Sequence, residues 1–292
     1  MRSSTSDSSM VANTAFTDMS GATIPAVAVT PEPERSTFQA SLPGMTGVLL
    51  PIAILSLWET ASHLHWVKPV FLPTPERTVA AFFDMVIKQD FLHDFLASID
   101  IVAQGFLYGA GLGILLGGAA GLSRGVARFL GPTLDSIRQI PAIAWLPLVV
   151  LWLGIGPLAK VVIITKVVFF PVFLNTLQGI RGVPKEYIDL ADVLTLRRAQ
   201  LVRRIIIPAA LPSILVGVRY GAGLAWAMVV VAEGLSGMQG IGYLIFRAQA
   251  LLLTDQLLVC MVVIGLVGFT IDRGVLVVER HLLRWKQGFD GR

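Results

Sequence analysis

From Val102 to Ser123 the chain runs without one charged side chain, and Ser36–Trp58 and Gln139–Ala159 share that property. A helix needs roughly 20 apolar residues to cross a bilayer, and in hydrocarbon it must satisfy its own backbone hydrogen bonds. Each stretch therefore predicts a transmembrane helix, the first beginning near Pro43. Three more runs, Pro157–Ile180, Ile205–Leu235 and Gln256–Val278, carry ionisable residues: Lys160 and Lys166, Arg219 and Glu233, Asp272 and Arg273. The expectation is an all-α membrane protein of about six spans. Composition agrees, since 54% hydrophobic and 14% charged residues, with mean hydropathy +0.73, exceed what a water-soluble chain can bury.

The net charge of +4 would suggest nucleic acid in a soluble protein, but here the charges fall between apolar runs and read as topology signals, with no nucleic-acid partner expected. With the N-terminus inside, Arg124, Arg128, Arg181, Lys185, Arg197, Arg198, Arg203, Arg204, Arg280, Arg284 and Lys286 all fall on the cytoplasmic side. The other side receives Lys68, Arg77, Lys88 and Arg247, as the positive-inside rule requires. The expected organisation is a disordered cytoplasmic tail (1–40), a first span with its extracytoplasmic connection (41–95), a transmembrane domain (96–282) and a short cytoplasmic tail (283–292). The opening residues lack the continuous apolar core of a cleaved signal peptide. Cys260, the single cysteine, reads as a small buried hydrophobe.

Within the second span Gly105, Gly109, Gly113, Gly117, Gly121 and Gly125 recur every fourth residue. Such a ridge lets another helix backbone approach closely, either inside the subunit or at a dimer seam. It is no dinucleotide fingerprint, because no strand precedes it.

Arg181–Pro208 is longer and more polar than a connection between spans needs. Pro184 can open a helix, Leu190, Val193, Leu194 and Leu201 form an apolar stripe, and charges fill the other face. Two short amphipathic helices, lying on the membrane or docked into a partner, satisfy this pattern.

This segment resembles the cytoplasmic loop of ATP-binding cassette importer permeases, whose signature reads Glu-Ala-Ala, three residues, Gly, nine residues, Ile-x-Leu-Pro. Asp189, Leu190 and Ala191 stand for Glu-Ala-Ala, Thr195 for Gly, and Ile205, Ile206, Ile207 and Pro208 close the motif. Leu190 and Thr195 depart from it. If the turn needs positive φ, threonine there costs about 1 to 3 kcal/mol. The runs Ile137–Pro147, Trp152–Gly156, Phe169–Asn175, Ala232–Gly234, Gly240–Ile245 and Arg280–Trp285 are similar to the nitrate, sulfonate, taurine and bicarbonate branch. The resemblance spans about residues 95 to 286.

What it implies is a type I importer permease in the bacterial inner membrane, with residues 183–207 as coupling helices and Glu186, Asp189, Leu190, Ala191, Thr195, Ile205, Ile207 and Pro208 in the coupling loop. The implied partners are separate ATPase subunits, a second permease copy (a homodimer or a related chain), an extracytoplasmic solute-binding protein and membrane lipid. The chain has no phosphate-binding loop, Gly154–Lys160 being the nearest approach, so no cofactor is expected in it and ATP belongs to the ATPase partner.

Ionisable groups at bilayer depth are functional candidates by default. Lys166 and Arg138 could attract an anionic solute weakly enough to release it. Asn175 and Glu233 complete the candidate pathway set, with structural pairing as the competing reading. Pro141, Pro147, Pro171 and Pro212 predict irregular helices over protein or a water-filled path. Trp58, Trp66, Trp145 and Trp152 read as interface anchors. His63 and His65 alone make no metal site. An ion-coupled secondary transporter stays open as the alternative, although Glu233 is a thin basis for ion coupling. A membrane-embedded enzyme would need a nucleophile with its base, and Ser236 has none assigned.

Overall fold

Thr74 Oγ accepts a hydrogen bond from the Arg77 amide, Pro75 occupies the first helical position, and the helix Pro75–Lys88 starts there for both reasons. The computed structural model describes residues 45–236 and 238–283. A division between two units falls between Ala53 and Ile54. Helix α1, Met45–His63, is the described part of the first expected span; residues before it, including the expected 1–40 tail, lie outside the described residues, as does the C-terminal tail beyond Leu283. Next come α2 (Pro75–Lys88), α3 (Phe91–Leu122), α4 (Arg124–Gln139), α5 (Ala142–Leu153) and α6 (Pro157–Arg181). They are followed by α7 (Lys185–Val193), α8 (Arg198–Leu201), a π-helical segment (Val202–Ile206), α9 (Ile207–Ser236), α10 (Ile241–Ala250) and α11 (Thr254–Leu282). There is no strand among the described residues. The expected boundary after residue 95 falls inside α3, which begins at Phe91.

Four helices are long and apolar enough to cross a bilayer without interruption: α3, α6, the continuous run Arg198–Ser236, and α11. The third expected span, Gln139–Ala159, is corrected. Pro141 has no N–H to continue α4, Gly154 at φ +79° ends α5 after 12 residues, and α4 and α5 meet at 96°. They still make one crossing. A Cβ on Gly105, Gly109, Gly113, Gly117 or Gly121 of α3 would meet Ile164, Val168, Val172, Thr176 or Ile180 of α6, in that order. The two helices therefore run parallel, and the chain between them must return across the bundle, which only the α4–α5 pair can do.

α6 is the central helix. Gly179 of α6 abuts Ser213 of α9, while Gly217 and Gly221 of α9 abut Asn175 and Val168, so α9 runs antiparallel to it. Val168 and Val172, both fully buried, are clasped between glycines of α3 and α9. The predicted ridge is thus an internal seam. It stops at Gly121, since a Cβ on Gly125 would meet only the Ser123 hydroxyl in ordinary contact. α11 lies antiparallel to α9, with Trp226 Nε1 donating to the Ile264 carbonyl at 2.9 Å. Cys260 is fully buried in the apolar core, as its sequence setting predicts.

Candidate functional site

The segment between α6 and α9 forms one free-standing helix, α7, and a second that does not stand alone. α8 runs through the π segment into α9, where two separate amphipathic helices were expected. The cause is Pro208, whose ring would crowd the Arg204 carbonyl in a regular α-helix; the wider π turn relieves the clash. Between α7 and α8 the chain reverses at Thr195, whose φ is +50°. A β-branched residue therefore takes positive φ at the position where the signature has glycine.

On α7 the apolar residues point two ways. Tyr187, Leu190, Val193 and Leu194 are exposed, Val193 at 79%, and Glu186 and Asp189 stand exposed beside them. Ala191 faces inward at 1% exposure. Ile205, Ile207 and Pro208 lie where the π segment joins α9, Ile207 exposed and the other two half-buried.

At the opposite end of the bundle a buried polar cluster joins α3, α6, α9 and α10. The Glu233 carboxylate, fully buried, accepts from Ser98 Oγ at 2.8 Å and from the Gly242 amide at 2.9 Å. The Ile241 amide donates to Ser98 Oγ at 2.9 Å, and the Gly240 amide to Asp94 Oδ1 at 2.8 Å. Lys160, 2% exposed, donates to the Gln239 carbonyl at 3.4 Å and lies within the field of Glu233 and Asp94. Gly240, at φ +110°, has no room for a Cβ against the Glu233 carboxylate. These groups fix the start of α10.

A groove of about 420 Å³ holds Asn175, Arg219, Tyr220, Asp272 and Glu279. Arg219 grips Asp272 through two hydrogen bonds, at 2.7 and 2.9 Å. Asn175 Nδ2 donates to the Pro171 carbonyl at 2.8 Å. Arg138 ends α4 in an exposed pair with Asp135 at 3.1 Å. Lys166 reaches the break between α4 and α5: its Nζ donates to the Ile140 carbonyl at 2.8 Å and lies 5.5 and 5.8 Å from the Trp145 and Phe170 ring centres. Trp145 therefore packs on a lysine in the α4–α5 bend, and is no isolated anchor.

Sequence reasoning did not name Asp94 or Ser98, whose partners lie 146 and 135 residues away, and it named Asp272 without its partner Arg219, 53 residues away. His63 gains partners it lacked in the sequence, Glu76 at 3.3 Å and Glu59 at 3.9 Å, all exposed. The Glu76 carboxyl is held below the usual range by its own backbone amide at the start of α2, then by the Thr74 hydroxyl and His63.

The family model described as binding-protein-dependent transport system inner membrane component matches residues 109–284. The chain belongs to this family. Among curated relatives, this permease is 37% identical over 247 residues to the putative aliphatic sulfonates transport permease SsuC of Bacillus subtilis, covering 85% of this chain and 90% of that one. It is 33% identical to the taurine transport system permease TauC of Escherichia coli, over 80% of this chain and 86% of the relative. To the bicarbonate transport system permease CmpB of Synechococcus elongatus it is 31% identical, over 82% and 91%. Among solved structures, a chain of an amino acid ABC transporter shares the fold at TM-score 0.55 and 15% identity, covering 68% of this permease and 98% of that chain.

Proposed function

We propose that this permease forms the membrane path of an ATP-driven importer for a small oxyanion of the sulfonate, taurine, nitrate or bicarbonate type, and that α7 receives the stroke of a separate ATPase. The solute class rests on the three relatives above, whose names specify sulfonates, taurine and bicarbonate. The observation that carries the coupling is the exposed stripe Tyr187, Leu190 and Val193 of α7 with Leu194 directly after it, outside the long spans. A contiguous apolar patch there calls for a protein partner. In this reading the α7 end is cytoplasmic, the α10 end faces the solute-binding protein, and the permease works as a pair of copies.

The rigid continuity from α8 through the π segment into α9 supports the stroke. A push on α7 and α8 is delivered along a helix that runs unbroken to the Glu233 cluster.

Because Ala191 points inward, the docking face is tested at Leu190 and Val193. The permease is purified with its partner ATPase and reconstituted with its binding protein for ATP-dependent uptake of labelled ethanesulfonate. Leu190→Arg combined with Val193→Arg is expected to lose the ATPase and uptake while the permease stays monodisperse. Retention of the ATPase by that variant refutes the coupling face. Uptake driven by an ion gradient without ATP would favour a secondary transporter instead.

A further inference from the structure

We propose that Lys166, at the break between α4 and α5, is the station where the anionic solute is held midway through the permease. This rests on the oxyanion-importer reading and names a site within it.

Depth comes first. Lys166 is nine residues into α6, about 14 Å along a helix that rises 1.5 Å per residue, so it sits near the middle of a hydrocarbon core roughly 30 Å thick. A cation at that depth needs a partner. Of the other basic groups in the spans, Arg219 is bound to Asp272, Arg273 is next to that aspartate in the chain, and Lys160, in the first turn of α6, donates to the Gln239 carbonyl. Lys166 has no carboxylate partner among the described residues.

Its hydrogen bonds are also incomplete. An ammonium carries three N–H donors, and one of them is used, on the Ile140 carbonyl. Lys166 is only half-buried, so the other two point where water or a ligand can reach. Lipid tails offer no acceptor. Trp145 and Phe170 wall the site with ring faces that attract the ammonium but carry no full negative charge. An ammonium with spare donors at an accessible position matches the oxygens of a small anion. A single full charge keeps the hold weak enough for release.

The competing polar site has the wrong sign. The Arg219 groove holds two carboxylates, Asp272 and Glu279, against one guanidinium, and would repel an anion.

The test uses the reconstituted importer with its ATPase and binding protein, and ethanesulfonate as the probe. Wild type must first take up the probe, or taurine, nitrate or bicarbonate in its place; if it takes up none of the four, the oxyanion reading fails before the site is in question. Lys166→Gln is then expected to lower maximal uptake about 10- to 100-fold, the range of a lost charge-assisted hydrogen bond. The concentration of loaded binding protein giving half-maximal uptake should stay unchanged, and more ATP should be spent per solute moved. Lys166→Arg is expected to restore most of the rate. Full uptake in Lys166→Gln, or equal failure of the Gln and Arg variants with the ATPase still bound, overturns the proposal. If Lys166→Gln does not assemble, Lys166→Met decides: it keeps most of the length of the side chain and loses the charge. Uptake at the wild-type rate then overturns the site, and a severalfold loss with normal ATPase retention supports it.

Discussion

Arg219 on α9 and Asp272 on α11 meet in a two-pronged ion pair while both remain partly exposed, at 40% and 47%. Neither charge can face lipid alone, because each would then be an uncompensated ion at bilayer depth. The pair therefore holds α9 to α11 and marks a face that water or protein covers. Arg219→Asp or Asp272→Arg alone should reduce the monodisperse protein recovered from membranes severalfold. The double exchange should recover most of it. Fluorescence-detected size exclusion on the three variants reads this directly, and a double exchange no better than the single changes would dissociate the pair from assembly.

Thr195 is held at φ +50°, a conformation that a β-branched side chain resists. Thr195→Gly should stabilise the α7–α8 turn by about 1 kcal/mol, the relieved strain exceeding the added freedom of the unfolded chain. Amide exchange in Leu190–Leu196 measures it. Slower exchange is expected, and faster exchange would mean that the threonine contributes contacts outweighing its strain.

The glycine seam separates packed from lipid-facing positions on one helix. Gly109→Leu or Gly113→Leu drives a side chain into Val168 or Val172 and should cost about 1–3 kcal/mol or more, seen as a lower thermal midpoint. Gly111→Leu and Gly118→Leu meet nothing within 4 Å and should leave the midpoint unchanged or raise it. Equal loss at all four positions would indicate a helix-propensity effect instead of packing.

The seam was legible because a spacing of four residues and an absence of charge are local properties. The positive φ at Thr195 is not such a property: the sequence raised it only as a condition on the glycine that the family signature has there. Span Gln139–Ala159 misled because its lack of charge concealed two backbone breaks, Pro141 and Gly154, whose effect depends on what lies beside them. Beside Pro141 lies Lys166, which satisfies the Ile140 carbonyl left at the break. Ala191 could not be assigned inward or outward from its stripe, since α7 is too short for the pattern to separate two faces. The pairs Ser98–Glu233 and Arg219–Asp272 join distant segments, and no periodicity in either segment encodes its partner.

The Glu233 cluster yields a graded prediction. Its carboxylate serves Ser98 and the Gly242 amide, and Asp94 serves the Gly240 amide, so the first turn of α10 is tied down by side chains from α3 and α9. Glu233→Gln keeps one oxygen acceptor but places an amide donor among donors. Glu233→Ala removes every acceptor and leaves buried groups unpaired, at about 1–3 kcal/mol each. Gly240→Ala adds strain at φ +110° and a collision with the carboxylate. α10 should loosen in the order wild type, Glu233→Gln, Glu233→Ala, with Gly240→Ala near the last. Arg247, exposed on α10, supplies the readout through its rate of tryptic cleavage in the reconstituted permease. Cleavage that rises in that order shows the carboxylate holding the segment. If Glu233→Ala is cleaved no faster than wild type, α10 is held instead by its apolar contacts at Ile241, Leu244 and Ala248.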